Sequence, residues 1–328
     1  MTPIDHTVRL SRLGDETLLV TNLADLRWLT GFDTSNGWAV VRGGDVFVGT
    51  DGRYGDKARA ETAAIGATVI VEQQASRLRA RYEELARDLQ PDATRIAQLR
   101  MVKDDAEIER IEAAATIADR ALGEVEPMLH DGLSELDLRA ELEYRMMRHG
   151  ADDRSYPTIV ASGPEHGARP HHGASRRALE PGDTLIIDVG ALVDGYHSDM
   201  TGSWVIGEPS AEQRETYELV ALAQQAGLEA VRPGSSSMTV DTACRDVFEE
   251  AGRLDEYLHG TGHGVGLDIH EPPFHNQWSD VTLEAGMVVT VEPGLYRGGF
   301  GGFRIEDLVL VTASGQRPLT HSPKRELN

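Results

Sequence analysis

Two apolar patterns divide this chain. Up to about residue 95 short runs dominate: Ala39-Val40-Val41, Val46-Phe47-Val48 and Thr68-Val69-Ile70-Val71 are rich in β-branched residues and predict strands. The alanine-rich stretch Tyr54–Ile65 predicts a helix, and Ala75–Leu89 predicts another, stopped by Pro91. Together they describe a small α/β unit. Gly31, Gly37, Gly43 and Gly44 form no nucleotide-binding motif and read as turn residues.

From Lys103 the pattern lengthens. Ile108, Ile111, Ala115, Ile117, Ala118 and Leu122 fall at helical spacing within Glu107–Val125. A second helix is predicted from Ser134 to Gly150 through Leu136, Leu138, Leu142 and Met146. A third starts at Ser210, where Gln213 completes a capping box, and stops after Val231 at Pro-Gly. A fourth spans Thr239–Ala251, where Cys244 shares an apolar face with Val240, Val247 and Phe248 and reads as a packed thiol. Strands are predicted at Thr184–Val189, Tyr196–Thr201, Met287–Val291 and Phe303–Leu310.

The first two of these strands flank Asp194-Gly195, a strong hairpin signal. A two-residue turn there sets Val193 opposite Tyr196 and Gly190 opposite Asp199. Asp188, two residues from Gly190, shares its face, so Asp188 and Asp199 become diagonal neighbours within reach of one ion. The segment after Lys103 thus reads as an antiparallel sheet with flanking helices, an α+β architecture.

Composition narrows the functions available. The chain has 328 residues, enough for two domains, and a formal charge of −22. That charge repels nucleic acid phosphates and anionic membranes, so neither is expected as a partner. One cysteine excludes an intrachain disulfide and fits a reducing, cytoplasmic setting. No signal peptide is visible, and no apolar run approaches the roughly 18 residues of a membrane helix.

The chemistry is carried by acids in apolar surroundings. Asp188 sits in Ile186-Ile187-Asp188-Val189, where a buried carboxylate must be paired or metal-bound. His259 and His263 are spaced by four, but the surrounding glycines argue against a helix and for a close backbone approach. His270 follows. Glu292 ends an apolar strand before Pro293-Gly294, and alternation puts Arg304 on the face of Glu306, where it can hold a metal-bound carboxylate. His166 and His275 read as surface residues, and His197 as a strand residue behind the site. Asp188, Asp199, His263, Glu292 and Glu306 match the needs of two divalent cations of hard or borderline type, Mn, Co, Fe or Zn. The expected chemistry is hydrolysis by a dinuclear centre.

The ordered set of these five residues, with GHGVGLDIHEPP, VEPGLY and FRIED, resembles the pita-bread metallopeptidases, which include Xaa-Pro aminopeptidases, Xaa-Pro dipeptidases (prolidases), methionine aminopeptidases and creatinase. The likeness covers residues 103 to 320. WLTGFDTSNG and TDGRYGDKARAE resemble the amino-terminal domain of the Xaa-Pro branch, which methionine aminopeptidases lack. The resemblance implies a creatinase-like α/β domain over residues 1–100 and a pita-bread catalytic domain over 101–328. It implies that the five residues are the metal ligands, Asp188 and Glu306 being shared, with manganese favoured. It implies that His171 or its neighbour His172, together with His259 and His270, serves the substrate, that Arg304 supports the ligands, and that Glu292 relays a proton from a hydroxide held between the ions. The substrate implied is a dipeptide or peptide with proline second, and the assembly a homodimer. Two departures stand out: Gly202 replaces an arginine frequent in relatives, and the amino-terminal domain looks short of the family's first helix and strand. Other readings are a non-peptide amide or amidine hydrolase of creatinase or ectoine-hydrolase type, a lyase on the same ligands, or a binding module without catalysis.

Overall fold

The computed structural model describes residues 1–130 and 132–324. The chain divides into two units, Thr2–Arg100 and Met101–Asn328.

The first unit is built on a four-stranded sheet of Leu18–Val20, Gly37–Arg42, Asp45–Asp51 and Thr68–Glu72 in that order. The last strand runs parallel to its neighbour because the helix Gly55–Glu61 carries the chain back between them. The expected helix over 54–65 is shorter, with Ala63–Ile65 as a 3-10 turn, and that over 75–89 ends at Leu85. The unit does contain a first helix, His6–Ser11 capped by Asp5, and a first strand, Leu18–Val20. Both are too short to print a period on the sequence, which is why the domain looked truncated.

In the second unit two helix pairs cover two sheets. Asp105–Val125 and Glu135–Arg148 start at capping boxes, Asp104 with Glu107 and Ser134 with Asp137. Their apolar faces, through Ala114, Ala118, Leu122, Leu138 and Leu142, bury Val160, Leu185 and Ile187 of the sheet made by Ile159–Ser162, Thr184–Asp188 and Thr201–Val205. Ala211–Ala230, with the predicted Ser210–Gln213 box, and Ser237–Glu250 cover a five-stranded sheet that includes Gly262–Gly264, Val288–Val291 and Asp307–Thr312. Cys244 is buried in that layer and donates to the Ala223 carbonyl at 3.1 Å; burial pushes its thiol up to about 12. It is a packing residue, as its helical face predicted.

The Asp194-Gly195 turn has φ of 47° and 78°, the two positive values of a type I′ hairpin. Val193 opposes Tyr196 as expected, and the same register resumes at Asp188 opposite Thr201. Between them the ladder breaks. Gly190 lies against the Ser198 carbonyl, and its own carbonyl accepts from the Ser155 backbone at 2.8 Å. A second long hairpin repeats the device: Val291 opposes Asp307 and Gly294 opposes Arg304. One register spans both ladders, so Glu292 and Glu306 face each other at the interruption, a relationship the glycine-rich loop hid in the sequence.

Candidate metal centre

The two hairpin interruptions meet. Asp199, His263 and Glu306 offer ligand atoms within 4.8 Å of one another, and all three are buried. The His263 Nε2 lies 3.5 Å from Asp199 and 3.3 Å from Glu292. His263 comes from the strand Gly262–Gly264, not a helix, and Gly262 is pressed so close that a Cβ would sit 2.2 Å from the Thr290 carbonyl oxygen. The His263 Nδ1 donates to the Gly264 carbonyl at 3.1 Å, which aims Nε2 at the carboxylates.

Asp188 joins the group through two partners, the buried Arg304 and the half-buried Tyr156. Arg304 Nη2 donates to its Oδ2, and the Tyr156 hydroxyl lies between Asp188 Oδ1 and Asp199 Oδ1, bonded to both. Arg304 thus supports a carboxylate as expected, but that of Asp188 rather than Glu306. Its other nitrogens reach Thr201 Oγ1 at 3.1 Å, the Pro170 carbonyl at 3.1 Å and the Tyr296 hydroxyl at 2.9 Å. Glu306 is held by Thr201 Oγ1, which donates to Oε2 at 2.7 Å, while its buried Oε1 has no partner among the described residues.

Electrostatics point the same way. Burial, then the charges of Asp188 and Glu292, push the Asp199 carboxyl well above the usual range. Burial, then Asp199, Glu292 and Asp188, do the same to Glu306. Burial alone would depress His263, but Glu292 and Asp199 raise it to about 9. Glu292 is lowered against its burial, chiefly by His263. Four crowded acids with one orphaned oxygen are a set that divalent cations complete, so the residues fit two such ions.

The centre opens into a cavity of about 510 Å³. His171, His259 and His270 line it with Asp188, Asp199, His263, Glu292 and Arg304. His171 faces this space; His172 turns away and stacks on His166 at 3.8 Å. The His259 Nδ1 donates to the Gly260 carbonyl at 2.7 Å, so its Nε2 accepts from Tyr296 at 2.9 Å. Asp188, Arg304, Tyr296 and His259 therefore form one chain of hydrogen bonds.

Two histidines expected at the surface are not there. His166 is half-buried and bonds the Glu135 carboxylate at 2.9 Å. His275 is fully buried, donates to the Ser237 carbonyl at 3.2 Å and is depressed by burial to about 4. Their partners lie about 30 and 40 residues away, beyond any local pattern. Tyr156 and Tyr296 were not anticipated at all. His197 bonds Ser155 at 2.8 Å, in the layer behind the carboxylates.

A buried cluster of acids and one histidine, two hairpins meeting over it, and an open cavity define a metal-dependent hydrolase. Residues 109–313 match the model of metallopeptidase family M24, and residues 7–115 match the creatinase/prolidase N-terminal domain. The chain belongs to that family. It is 36% identical over 341 residues to an uncharacterized peptidase, YqhT, of Bacillus subtilis, an alignment covering 95% of this chain and 96% of that protein. It is 43% identical over 232 residues to a Xaa-Pro dipeptidase of Pyrococcus furiosus, covering 71% of this chain and 66% of that one. Among solved structures, a Xaa-Pro dipeptidase from Bacillus anthracis superposes with a TM-score of 0.90 at 33% identity, covering 98% of this chain and 99% of the other. An X-Pro aminopeptidase from Thermotoga maritima gives 0.85 at 31%, covering 97% and 99%.

Proposed function

We propose that this metallopeptidase hydrolyses the bond between an N-terminal residue and a following proline. The observation that carries the reading is the convergence of five residues: Asp188, Asp199, His263 and Glu292 line one cavity, and Glu306 offers a ligand atom within 4.8 Å of those of Asp199 and His263. These five residues would hold two divalent ions, which supply an activated water and a Lewis acid. Arg304 and Tyr156 orient Asp188, Thr201 orients Glu306, and Glu292 accepts and passes on the proton at its cavity-facing carboxylate. Tyr296 fixes the ring of His259, while His171 and His270 stand free to meet substrate. Proline nitrogen carries no N–H, so the site selects a ring by shape, and Pro157, Ile159 and Pro170 supply an apolar wall.

The rim of the cavity is aromatic. Phe274 is 38% exposed and Trp278 is 85% exposed at its edge. Among the described lining residues there is no lysine and no arginine except Arg304, which is committed to Asp188. His171 and His270 are then the groups open to the C-terminal carboxylate of a dipeptide, and the aromatic rim would flank the backbone of a longer peptide. Oxygen-rich ligands support manganese, the single buried thiol supports a reducing cytoplasmic setting, and the family likeness supports a homodimer. No helix among the described residues is long and apolar enough to cross a membrane.

The test is amino-acid release from Ala-Pro, Ala-Pro-Ala and Ala-Ala-Ala by Mn-loaded protein, with a chelator control. Chelator-sensitive release from the proline substrates and not from Ala-Ala-Ala is expected, and the ratio of Ala-Pro to Ala-Pro-Ala separates a dipeptidase from an aminopeptidase. Release from none of them, with two ions bound, would move the assignment to a non-peptide amide.

A further inference from the structure

A second convergence of ligating side chains lies outside the catalytic cavity. Glu135, His166 and His172 bring one potential ligand atom each within 4.8 Å of one another. Glu135 is completely buried at the first turn of Glu135–Arg148. Ser162 donates to its Oε1 through N at 2.8 Å and Oγ at 2.7 Å, and Ser175 to its Oε2 through N at 3.0 Å and Oγ at 2.7 Å. A carboxylate fixed by four donors keeps one orientation, the usual support of a metal ligand. His166 Nδ1 lies 2.9 and 3.1 Å from its two oxygens. The His172 ring stacks on that of His166, and its buried Nε2 has no hydrogen-bond partner among the described residues. Hydrogen bonding accounts for the carboxylate and for one imidazole, and leaves the other imidazole nitrogen sealed and unsatisfied.

We propose that Glu135, His166 and His172 form a third metal site, separate from the dinuclear centre. Two imidazoles and one carboxylate select a borderline divalent ion such as Zn, Ni or Co over Mg or Ca, with solvent completing the coordination. Binding takes the place of the His166–Glu135 hydrogen bond and gives His172 Nε2 its partner. The ion ties the start of Glu135–Arg148 to the segment 166–175. That segment also carries His171, which lines the catalytic cavity, and Pro170, whose carbonyl accepts from Arg304. The site therefore acts as a clasp on the substrate-side histidine.

Stripped full-length protein is titrated with zinc by calorimetry, and bound metal is counted by mass spectrometry. Wild type is expected to bind one equivalent more than His166→Gln or His172→Gln, and the same difference is expected in an Asp199→Ala background. Persistence of the difference in a protein that cleaves no proline peptide would uphold the clasp while the peptidase reading failed. Equal stoichiometry in all three proteins overturns the clasp. Cobalt titrated into Asp199→Ala with His263→Ala, which removes the histidine of the dinuclear centre, adds a readout free of the other histidine variants: visible absorption of a histidine-ligated ion is expected, and loss of the wild-type difference together with no such absorption rejects the site.

Discussion

Gly190 and Ser198 touch across the first hairpin so closely that a Cβ on Gly190 would stand 1.9 Å from the Ser198 carbonyl oxygen. Backbone, not a flexible side chain, occupies the space. Gly190→Ala must therefore push the two strands apart where Asp188 and Asp199 come together. Overpacking of this kind costs about 1–3 kcal/mol. The expected outcome is a lower urea midpoint together with weaker Mn binding in calorimetry. A variant with the wild-type midpoint and full metal content would show that the hairpin tolerates the spread and that this contact does not set the carboxylate geometry.

Without metal, burial, then the charges of Asp188, Asp199 and Glu306, raise the Tyr156 phenol well above its ordinary range. Its hydroxyl serves both aspartates, so Tyr156→Phe deletes their common support and leaves the ring to fill its place. Loss of an outer hydrogen bond to a ligand carboxylate reduces metal affinity roughly 10- to 100-fold. Thermal melting of the chelated variant should stay near wild type while its manganese affinity falls by that factor. Unchanged affinity would remove Tyr156 from the support of the centre.

The contrast between these two residues shows what the sequence could disclose. Asp194-Gly195 prescribes its turn locally, and the turn prescribes the register, so the pairing of Asp188 with Asp199 was readable from a dozen residues. Tyr156 reaches the same aspartates only because Ile159 pairs with Asp188 in the neighbouring strand, a contact set by tertiary packing. Glu292 and Glu306 each stood out as acids beside apolar strands, yet their opposition depends on a second small hairpin, Gly294–Arg297 with Gly301–Arg304, inside what read as a loop. His275 illustrates the remaining failure. A histidine among polar and proline residues looks solvated, and nothing nearby announces the Ser237 carbonyl that buries it.

Metal-free protein should lose stability as pH rises. The Asp199 and Glu306 carboxyls are raised in the folded chain, whereas the unfolded chain ionises them near pH 4. Their contribution is complete below that value and is lost as pH climbs through the folded values. His263, raised to about 9, behaves alike: its contribution is present below roughly pH 6.5 and disappears through about 9. His259, His270, His197, His172 and His275, each depressed first by burial, oppose them below about pH 6.5, where the unfolded chain protonates its imidazoles, so the net loss is read above that pH. Glu292, lowered in the fold, loses its contribution only in acid. Bound cations compensate the crowded carboxylates, so the gap in Tm between Mn-loaded and chelated protein should widen steadily from about pH 5 to 9. A constant gap would mean that these acids are not what the metal relieves.

Lys103 and Glu271 form a buried ion pair at 2.8 Å, their side chains 1% and 6% exposed. Lys103 Nζ also donates to the Met101 carbonyl at 3.2 Å. Glu271 follows His270 directly and pairs, at the Gly264 position, with the strand that carries His263. The ion pair therefore tethers the residue next to His270 to the start of the second unit. Lys103→Met strands a carboxylate in the interior, which typically costs about 3–5 kcal/mol. Replacing both partners removes the stranded charge, so Lys103→Met with Glu271→Met should recover most of that loss. Urea midpoints across the double-mutant cycle, at unchanged m, measure the recovery. The restored double variant is then informative about function. If the pair positions His270, KM for Ala-Pro-Ala stays elevated after stability returns; if the pair serves only the fold, KM returns with the midpoint.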